Sequence, residues 1–354
     1  MIPCVFAVLL LTAGMMPSSL SAHEAVMPAS EKLHDQNAVS RHVFASAADT
    51  PAQQAQSSTA AAPSAQQIDQ WIKQLSSQSC CSDWTNADWT SVSLDPYAHA
   101  QLIELASADE TIGYFVLSAA ESGEWVLTEY GTGRYPLFGI EILYRMLAQQ
   151  EEMTASPSSD AKNALDPAET KEQMSAWIHE RYEAERLYFN ALEAVWALKK
   201  RGSGEIIYAD AKTAEMYPLD ASIRNLPVSA AADGWPINAL ENVHESAYEA
   251  VDPYMHMHWL TSEPEQAANA KELHNMLQRD SSAVYVALIY NGLVTDPCAV
   301  TALVQTESDA SRQQAQAAAQ SLSRDRTAFV GIDKYGTKYV PFSLLAEKGH
   351  VYAP

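Results

Sequence analysis

The chain has 354 residues and a formal net charge of −22, from 22 Lys and Arg against 44 Asp and Glu. A surface this negative repels nucleic acid and anionic lipid headgroups, so the composition argues against partners of either kind. The apolar content of 47% is that of an ordinary globular protein, and the length allows one large domain or two modest ones.

The N-terminus predicts export. Residues 1–16 are apolar and uncharged, and the run breaks at Pro17, too early to span a bilayer. Small residues follow, so we predict a signal peptide over 1–22, cleaved after Ser21 or Ala22, and a periplasmic mature chain without an integral membrane span. The alternative is a buried or membrane-anchoring N-terminal helix, because the segment has no Lys or Arg before the apolar run.

Residues 23–66 are predicted to be a flexible linker of low complexity. Between 44 and 66 the chain is almost wholly Ala, Ser, Thr, Gln and Pro, which cannot bury enough apolar surface to offset the entropy of ordering. A folded body is therefore expected to begin near Gln67.

The first part of that body, 67–215, is predicted to be rich in strands. Ile68, Trp71, Ile72 and Leu75 have the spacing of an amphipathic helix. Strand-like runs follow, separated by short polar turns, at 89–94, 102–105, 112–117, 125–130 and 136–144. A loop at 150–170 and a helix at 168–200 form a predicted insertion, after which 205–209 reads as another strand.

The remaining segment, 216–354, is predicted to be an α/β region, either separate or part of the same domain. Residues 282–290 form the clearest strand, 308–322 a surface helix, and 329–332 with 339–342 a hairpin around Gly336. The fold class expected from the whole pattern is α+β: an antiparallel, β-sandwich-like domain with appended helices, preceded by the signal peptide and a disordered linker.

Three cysteines remain after export: Cys80, Cys81 and Cys298. Adjacent cysteines have Cα atoms about 3.8 Å apart, which is too close for a relaxed disulfide. Two arrangements stay open, a strained bridge between Cys80 and Cys81, or a bridge from one of them to Cys298 with the other free. We favour the second, because unstrained geometry is commoner.

The one cluster of metal-ligand types spans His244, Glu245, Glu249, Asp252, His256 and His258. Imidazole and carboxylate groups suit zinc or copper, so a metal-dependent hydrolase using His244, His256 and His258 is one functional hypothesis. The spacing matches no zinc signature, and the alternative is a solvated loop whose histidines serve packing. No complete catalytic motif is present, so we assign no catalytic residue and expect neither an enzyme nor a cofactor.

Aromatic residues near turns and strand ends offer a different site. Trp89, Trp125 and Tyr130 could stack on sugar rings, beside acidic groups that accept hydrogen bonds from hydroxyls. The competing interpretation is that these side chains fill the core, where large aromatics usually lie.

Several of these runs also carry a family resemblance. They are the Cys80-Cys81-Ser82 stretch leading to Trp89-Thr90, the segments 114–125 and 137–143, and more faintly 192–196 with 204–208. Together they resemble the maltose operon periplasmic protein (MalM) family over roughly 68–208. The resemblance implies a periplasmic, non-enzymatic protein that assists maltose or maltodextrin transport, with maltodextrin or envelope transport components as partners. The alternative function is a cell-envelope structural or interaction protein without sugar specificity.

Overall fold

The computed structural model describes residues 62–94, 99–108, 110–154, 170–229, 234–240, 243–280, 283–306 and 328–352. The predicted signal peptide, nearly all of the linker and the helix expected at 308–322 lie outside these ranges. None of the helices in the described ranges combines the length and the apolar character that crossing a lipid bilayer requires.

The helices are α1 (Ala65–Leu75), α2 (Ile140–Thr154), α3 (Lys171–Arg181), α4 (Ala270–Arg279) and α5 (Phe342–Lys348), with 3-10 helices at Ser79–Asn86, Ala221–Asn225, Ile237–Leu240 and Met257–Leu260. The strands are β1 (Asp88–Ser93), β2 (Ala100–Ser107), β3 (Glu110–Ala119), β4 (Trp125–Thr132), β5 (Tyr182–Tyr188), β6 (Ala194–Lys200), β7 (Ile206–Asp210), β8 (Met216–Tyr217), β9 (Val243–Ala247), β10 (Val284–Ile289), β11 (Val294–Thr306), β12 (Ala328–Asp333), β13 (Thr337–Pro341) and β14 (Gly349–Tyr352).

Two antiparallel sheets organise these strands. The large sheet has the order β1-β2-β3-β4-β13-β12-β11-β10-β14, with β9 added beside β11, and the small sheet has the order β5-β6-β7-β8. The two halves of the large sheet come from distant parts of the chain and meet where β4 pairs with β13. The predicted α+β class with a sandwich-like antiparallel arrangement is confirmed.

One face of the large sheet is covered by the N-terminal helices. Helix α1 begins with a capping box in which Ser64 and Gln67 satisfy each other's backbone N–H groups. Its apolar stripe packs with Phe115 and Leu117 of β3, and Trp84 of the following 3-10 helix stacks on Phe115 with ring centroids 6.4 Å apart. The helix predicted from the spacing of Ile68 to Leu75 is confirmed.

The other face of the large sheet packs against the small sheet and four helices. Alternation along β3 turns Tyr114 and Val116 to this side, where they join α2, α3 and Trp196 of β6. The neighbouring residue Val195 turns to the opposite side of the small sheet, into a second cluster with α4, α5 and the C-terminal strands. Strand β6 therefore contributes apolar side chains to a core cluster on each face of the small sheet.

Charged side chains are buried between these layers. Glu129 has no exposed surface and accepts hydrogen bonds from the hydroxyls of Tyr114 (3.0 Å) and Tyr188 (3.1 Å), with Lys338 Nζ at 3.5 Å. Lys212, 1% exposed, donates from Nζ to the backbone carbonyl of Tyr135, and its Nζ lies 5.2 Å from the centroid of the Tyr114 ring. Burial of a charge requires such partners, because desolvation is otherwise costly.

Two predicted elements were wrong. The apolar run 136–144 is not a strand, since α2 begins within it at Ile140 and buries Leu143, Tyr144 and Leu147 at helical spacing. A short apolar run does not by itself distinguish strand from helix. The helix expected over 168–200 ends at Arg181, and the rest forms the hairpin of β5 and β6, because strand pairing places Leu187 and Val195 in one core cluster and Tyr188 and Trp196 in the other.

Candidate functional site

A polar cavity of about 390 Å³ lies where the end of α1 meets β9. We call it the Gln78–Glu245 pocket. Its lining consists of Ser77, Gln78, Ser79, Leu240, Val243, His244 and Glu245. This volume is in the lower part of the range of small-molecule sites in proteins.

One wall of the pocket is the turn between α1 and the 3-10 helix at Ser79–Asn86. Helix α1 ends at Leu75, whose carbonyl accepts a hydrogen bond from the backbone N–H of Gln78 at 3.0 Å. This tight turn exposes Ser77 and Ser79 and turns the side chain of Gln78 toward the core, where it is 4% exposed.

The facing wall is β9, which is positioned by its pairing with β11. In that register His244 lies opposite Gln305 and Glu245 lies opposite Val304. The carboxylate of Glu245 accepts a hydrogen bond from Tyr339 Oη at 2.8 Å through Oε1 and another from Ser79 Oγ through Oε2. Glu245 therefore ties the two walls to each other and to β13.

Buried aromatic residues support the pocket from behind. Tyr130 and Tyr339 stack with ring centroids 4.3 Å apart and an interplanar angle of 4°, and Tyr130 Oη donates to Gln78 Oε1 at 2.9 Å. Burial is the largest cause of a raised pKa for both tyrosines, so their hydroxyls stay protonated and act as donors. Gln78 Nε2 is buried and has no hydrogen-bond partner among the described residues.

The paired cysteines lie next to this pocket. Cys80 is half-buried, Cys81 is buried, and their Sγ atoms are 2.8 Å apart as free thiols. Burial chiefly, with the neighbouring Cys80 and the charge of Glu245, raises the pKa of Cys81 well above its ordinary value. Because the thiolate is the nucleophilic form, Cys81 is held as a weakly reactive thiol.

The structure does not bring Cys298 to this pair. Cys298 lies in the core cluster on the other face of the large sheet, where its Sγ is 3.7 Å from the backbone carbonyl oxygen of Asp296. Burial raises the pKa of its thiol to about 12. The favoured bridge to Cys298 is therefore not formed, and all three cysteines are free.

The three predicted sugar-stacking residues do not line the pocket. Tyr130 has no exposed surface, so its expected role as a stacking platform was wrong, and it serves the core beside Trp84 and Phe329. Trp89 is half-buried, and its indole N–H donates to Asp69 Oδ1 at 3.1 Å. Trp125 is half-buried at the start of β4.

The three predicted metal-binding histidines do not form one site. His244 is on β9, whereas His256 precedes the 3-10 helix Met257–Leu260 and His258 contacts the backbone of Tyr352 on β14. Within the ranges that the structure covers, no three His, Cys, Asp or Glu side chains are placed to share a metal ion. The hydrolase hypothesis therefore lacks its ligand set.

Comparisons with known proteins found no matching family model, no matching curated sequence and no matching solved structure. The resemblance to the maltose operon periplasmic protein family therefore stays a prediction.

A second cavity, of about 430 Å³, lies at the turn between β6 and β7. It is lined by Glu183, Lys199, Lys200, Arg201, Gly202, Ser203 and Gly204. Glu183 pairs with Lys199 at 3.5 Å and with Arg201 at 3.3 Å, and all three side chains are about half exposed. Exposed pairs of this kind contribute little.

Sequence reasoning singled out Cys80, Cys81, His244 and Glu245 but did not group them as one site. Gln78 and Tyr339 were missed altogether. Proximity to the cysteine pair could have drawn attention to Gln78, but nothing in the local sequence marks Tyr339, since its role depends on the pairing of β13 with β4.

Proposed function

We propose that this chain is an exported, non-enzymatic protein that binds a neutral, hydroxyl-rich ligand in the Gln78–Glu245 pocket, with a maltodextrin as the first candidate. The observation that carries the proposal is the pocket itself, whose polar lining is oriented from behind by the buried Tyr130 and Tyr339. Rigid support of this kind reduces the cost of ordering side chains when a ligand binds.

The chemistry of the lining favours such a ligand. Ser77 and Ser79 offer hydroxyls that donate and accept, and His244 adds an exposed imidazole. Glu245 already accepts two hydroxyl hydrogen bonds, and a carboxylate has about four acceptor positions, so it is able to accept further hydroxyls. An anionic ligand would be repelled by this carboxylate and by the strong negative charge of the chain.

The proposal is of a binding protein and not an enzyme. The hydroxyl of Ser79 donates to Glu245, whose other oxygen is engaged by Tyr339, and the nearby Cys81 is a neutral thiol. These groups are arranged to hold one another in place rather than to activate a nucleophile. The apolar N-terminus and the family resemblance support the export and the choice of maltodextrin.

Isothermal titration calorimetry with the mature protein tests the proposal. We expect saturable heat with maltose or longer maltodextrins and none with cellobiose. Glu245→Gln should weaken binding by about 10- to 100-fold, because a hydrogen bond to a charged group contributes about 1.5–3 kcal/mol. Glu249→Gln is the matched control, since Glu249 is exposed and outside the lining.

Two outcomes would overturn the proposal. If no sugar gives heat up to millimolar concentration, the protein does not bind carbohydrate directly. That result would favour an envelope interaction protein. If wild type and Glu245→Gln bind the sugar with equal affinity, the sugar does not bind in this pocket.

A further inference from the structure

Two methionines are presented to solvent in the segment before the 3-10 helix Met257–Leu260 and at its start. The sequence reads Met255-His256-Met257-His258, and the exposed fractions of Met255 and Met257 are 78% and 54%. Methionine is among the residue types most often buried. A contiguous patch of exposed apolar side chains commonly marks a binding surface. Both thioether sulfurs are therefore accessible beside two imidazoles.

Hydrogen bonds fix the proton positions on these imidazoles. Nδ1 of His256 lies 3.2 Å from the backbone oxygen of Asp252, and Nε2 of His258 lies 3.0 Å from that of Tyr352. A carbonyl oxygen only accepts, so each of these nitrogens carries a hydrogen. In the neutral imidazole the lone pair is then on the remaining nitrogen, Nε2 of His256 and Nδ1 of His258. Metal-ligating histidines commonly have this arrangement, with the other ring N–H donated to a carbonyl or carboxylate.

The backbone of the segment is held without using the thioethers or the lone-pair nitrogens. The carbonyl of Asp252 accepts from the backbone N–H groups of Met255 and His256, both at 3.1 Å. The indole N–H of Trp259 donates to the backbone oxygen of Pro253 at 2.9 Å. The potential ligands are thus carried by an ordered turn, while the unbranched methionine side chains can adjust to an ion.

The surrounding charge attracts cations. Between residues 243 and 265 the sequence has no Lys or Arg and five acidic residues. Glu245 belongs to the Gln78–Glu245 pocket and Glu265 pairs with Arg279 at 2.7 Å, and the others are Glu249, Asp252 and Glu263. Net negative charge raises the local concentration of cations. Ligand type then selects the ion, because thioethers favour copper(I) whereas carboxylates favour harder ions.

We propose that Met255, His256, Met257 and His258 form a binding site for one copper(I) ion. The ligands are the two thioether sulfurs, Nε2 of His256 and Nδ1 of His258. The site does not include His244 and is independent of the carbohydrate proposed for the Gln78–Glu245 pocket.

Anaerobic copper(I) titration of the full mature chain against a chromophoric chelator tests this site. We expect wild type to retain one more equivalent of copper(I) than the Met255→Leu/Met257→Leu variant. The matched control is Met153→Leu/Met216→Leu, whose methionines are 73% and 42% exposed, and it should retain as much as wild type. The cysteines are present in all three proteins, so copper bound by thiols cancels in the comparison.

Two results would overturn the proposal. One is equal copper(I) retention by wild type and the Met255→Leu/Met257→Leu variant. The other is zinc(II) binding at least as tight as copper(I), since zinc would use the imidazoles without the thioethers.

A second readout addresses the ligands directly. With ¹³C-methyl-labelled methionine, silver(I), a redox-inert substitute for copper(I), should shift the resonances of Met255 and Met257 and leave that of Met153 in place. Silver(I) is added until it exceeds by one equivalent the amount that the cysteine thiols bind. If the resonances of both residues are still unshifted at that point, thioether ligation is contradicted.

Discussion

Replacing Lys212 by methionine should remove a pH dependence that this buried amine gives to folding. Burial lowers the pKa of Lys212 from 10.5 to about 7, and the positive charge of Lys338 acts in the same direction. The carboxylates of Glu129 and Asp210 act in the opposite direction. Because the amine is almost fully buried between the layers, solvent screens these effects little.

The direction in which the free energy of unfolding changes with pH follows from proton binding. Between pH 7 and 10.5 the unfolded chain holds a proton at Lys212 that the folded chain has mostly released. The free energy of unfolding therefore rises with pH across this window. With these two pKa values, the rise between pH 7 and pH 9 is about 2 kcal/mol.

Urea unfolding followed by tryptophan fluorescence at pH 7, 8 and 9 measures this effect. Groups distant from Lys212 that titrate in this range contribute equally to wild type and variant. The difference between the pH dependences of the two proteins therefore reports Lys212 together with the neighbours that its charge affects, Lys338 among them. Lys200→Met is the control, because Lys200 is exposed and the change in net charge is the same. Equal pH dependence in wild type and Lys212→Met would refute the reasoning.

Three further predictions concern packing and burial, each measured by urea unfolding. Gly113→Ala should cost about 1–3 kcal/mol, because its new Cβ would overlap the ring of Trp84. Glu193→Ala should cost about 3–5 kcal/mol, since it leaves the charge of Lys348, 3.0 Å away, without its partner. Ser64→Ala should cost about 1 kcal/mol through loss of the α1 capping box.

Each of these has an outcome that would contradict it. An unchanged urea midpoint in Gly113→Ala would mean that Trp84 does not pack on β3 as described. Glu183→Ala removes a carboxylate from exposed pairs and should cost less than about 1 kcal/mol, so it is the control for Glu193→Ala. A stability loss in Ser64→Ala as large as that of Glu193→Ala would point to a role for Ser64 beyond capping.

Local pattern was sufficient for the elements whose partners are close in sequence. Alternation predicted the strands of the meander β1 to β4, and the hairpin of β12 and β13 around Gly336 was also predicted and is confirmed. Gly336 has φ of 103°, a conformation that favours glycine. The error at α2 arose because a short apolar run fits a strand or a helix equally well. The error at β5 and β6 arose because strand pairing in the small sheet overrode a spacing of apolar residues that also fits a helix.

The candidate pocket could not be predicted because it depends on distant contacts. Its walls come from residues 77–79 and 243–245, joined through Tyr339 on β13. The expectation for Tyr130 failed for a related reason: a tyrosine near a strand end is equally suited to the core, and the stacking on Tyr339 that decides the matter requires β4 to pair with β13.

The junction between β4 and β13 also constrains the order in which the protein assembles. Its paired positions, Gly131 with Lys338 and Tyr130 with Tyr339, are far apart in the sequence. Until the C-terminal strands are available, β4 has an open edge, and such edges readily pair with other chains. Non-local pairing of this kind slows folding. A chain that emerges N-terminus first therefore exposes this edge until β13 has been synthesised, and a binding factor that covers β4 during that interval would raise the yield of native protein.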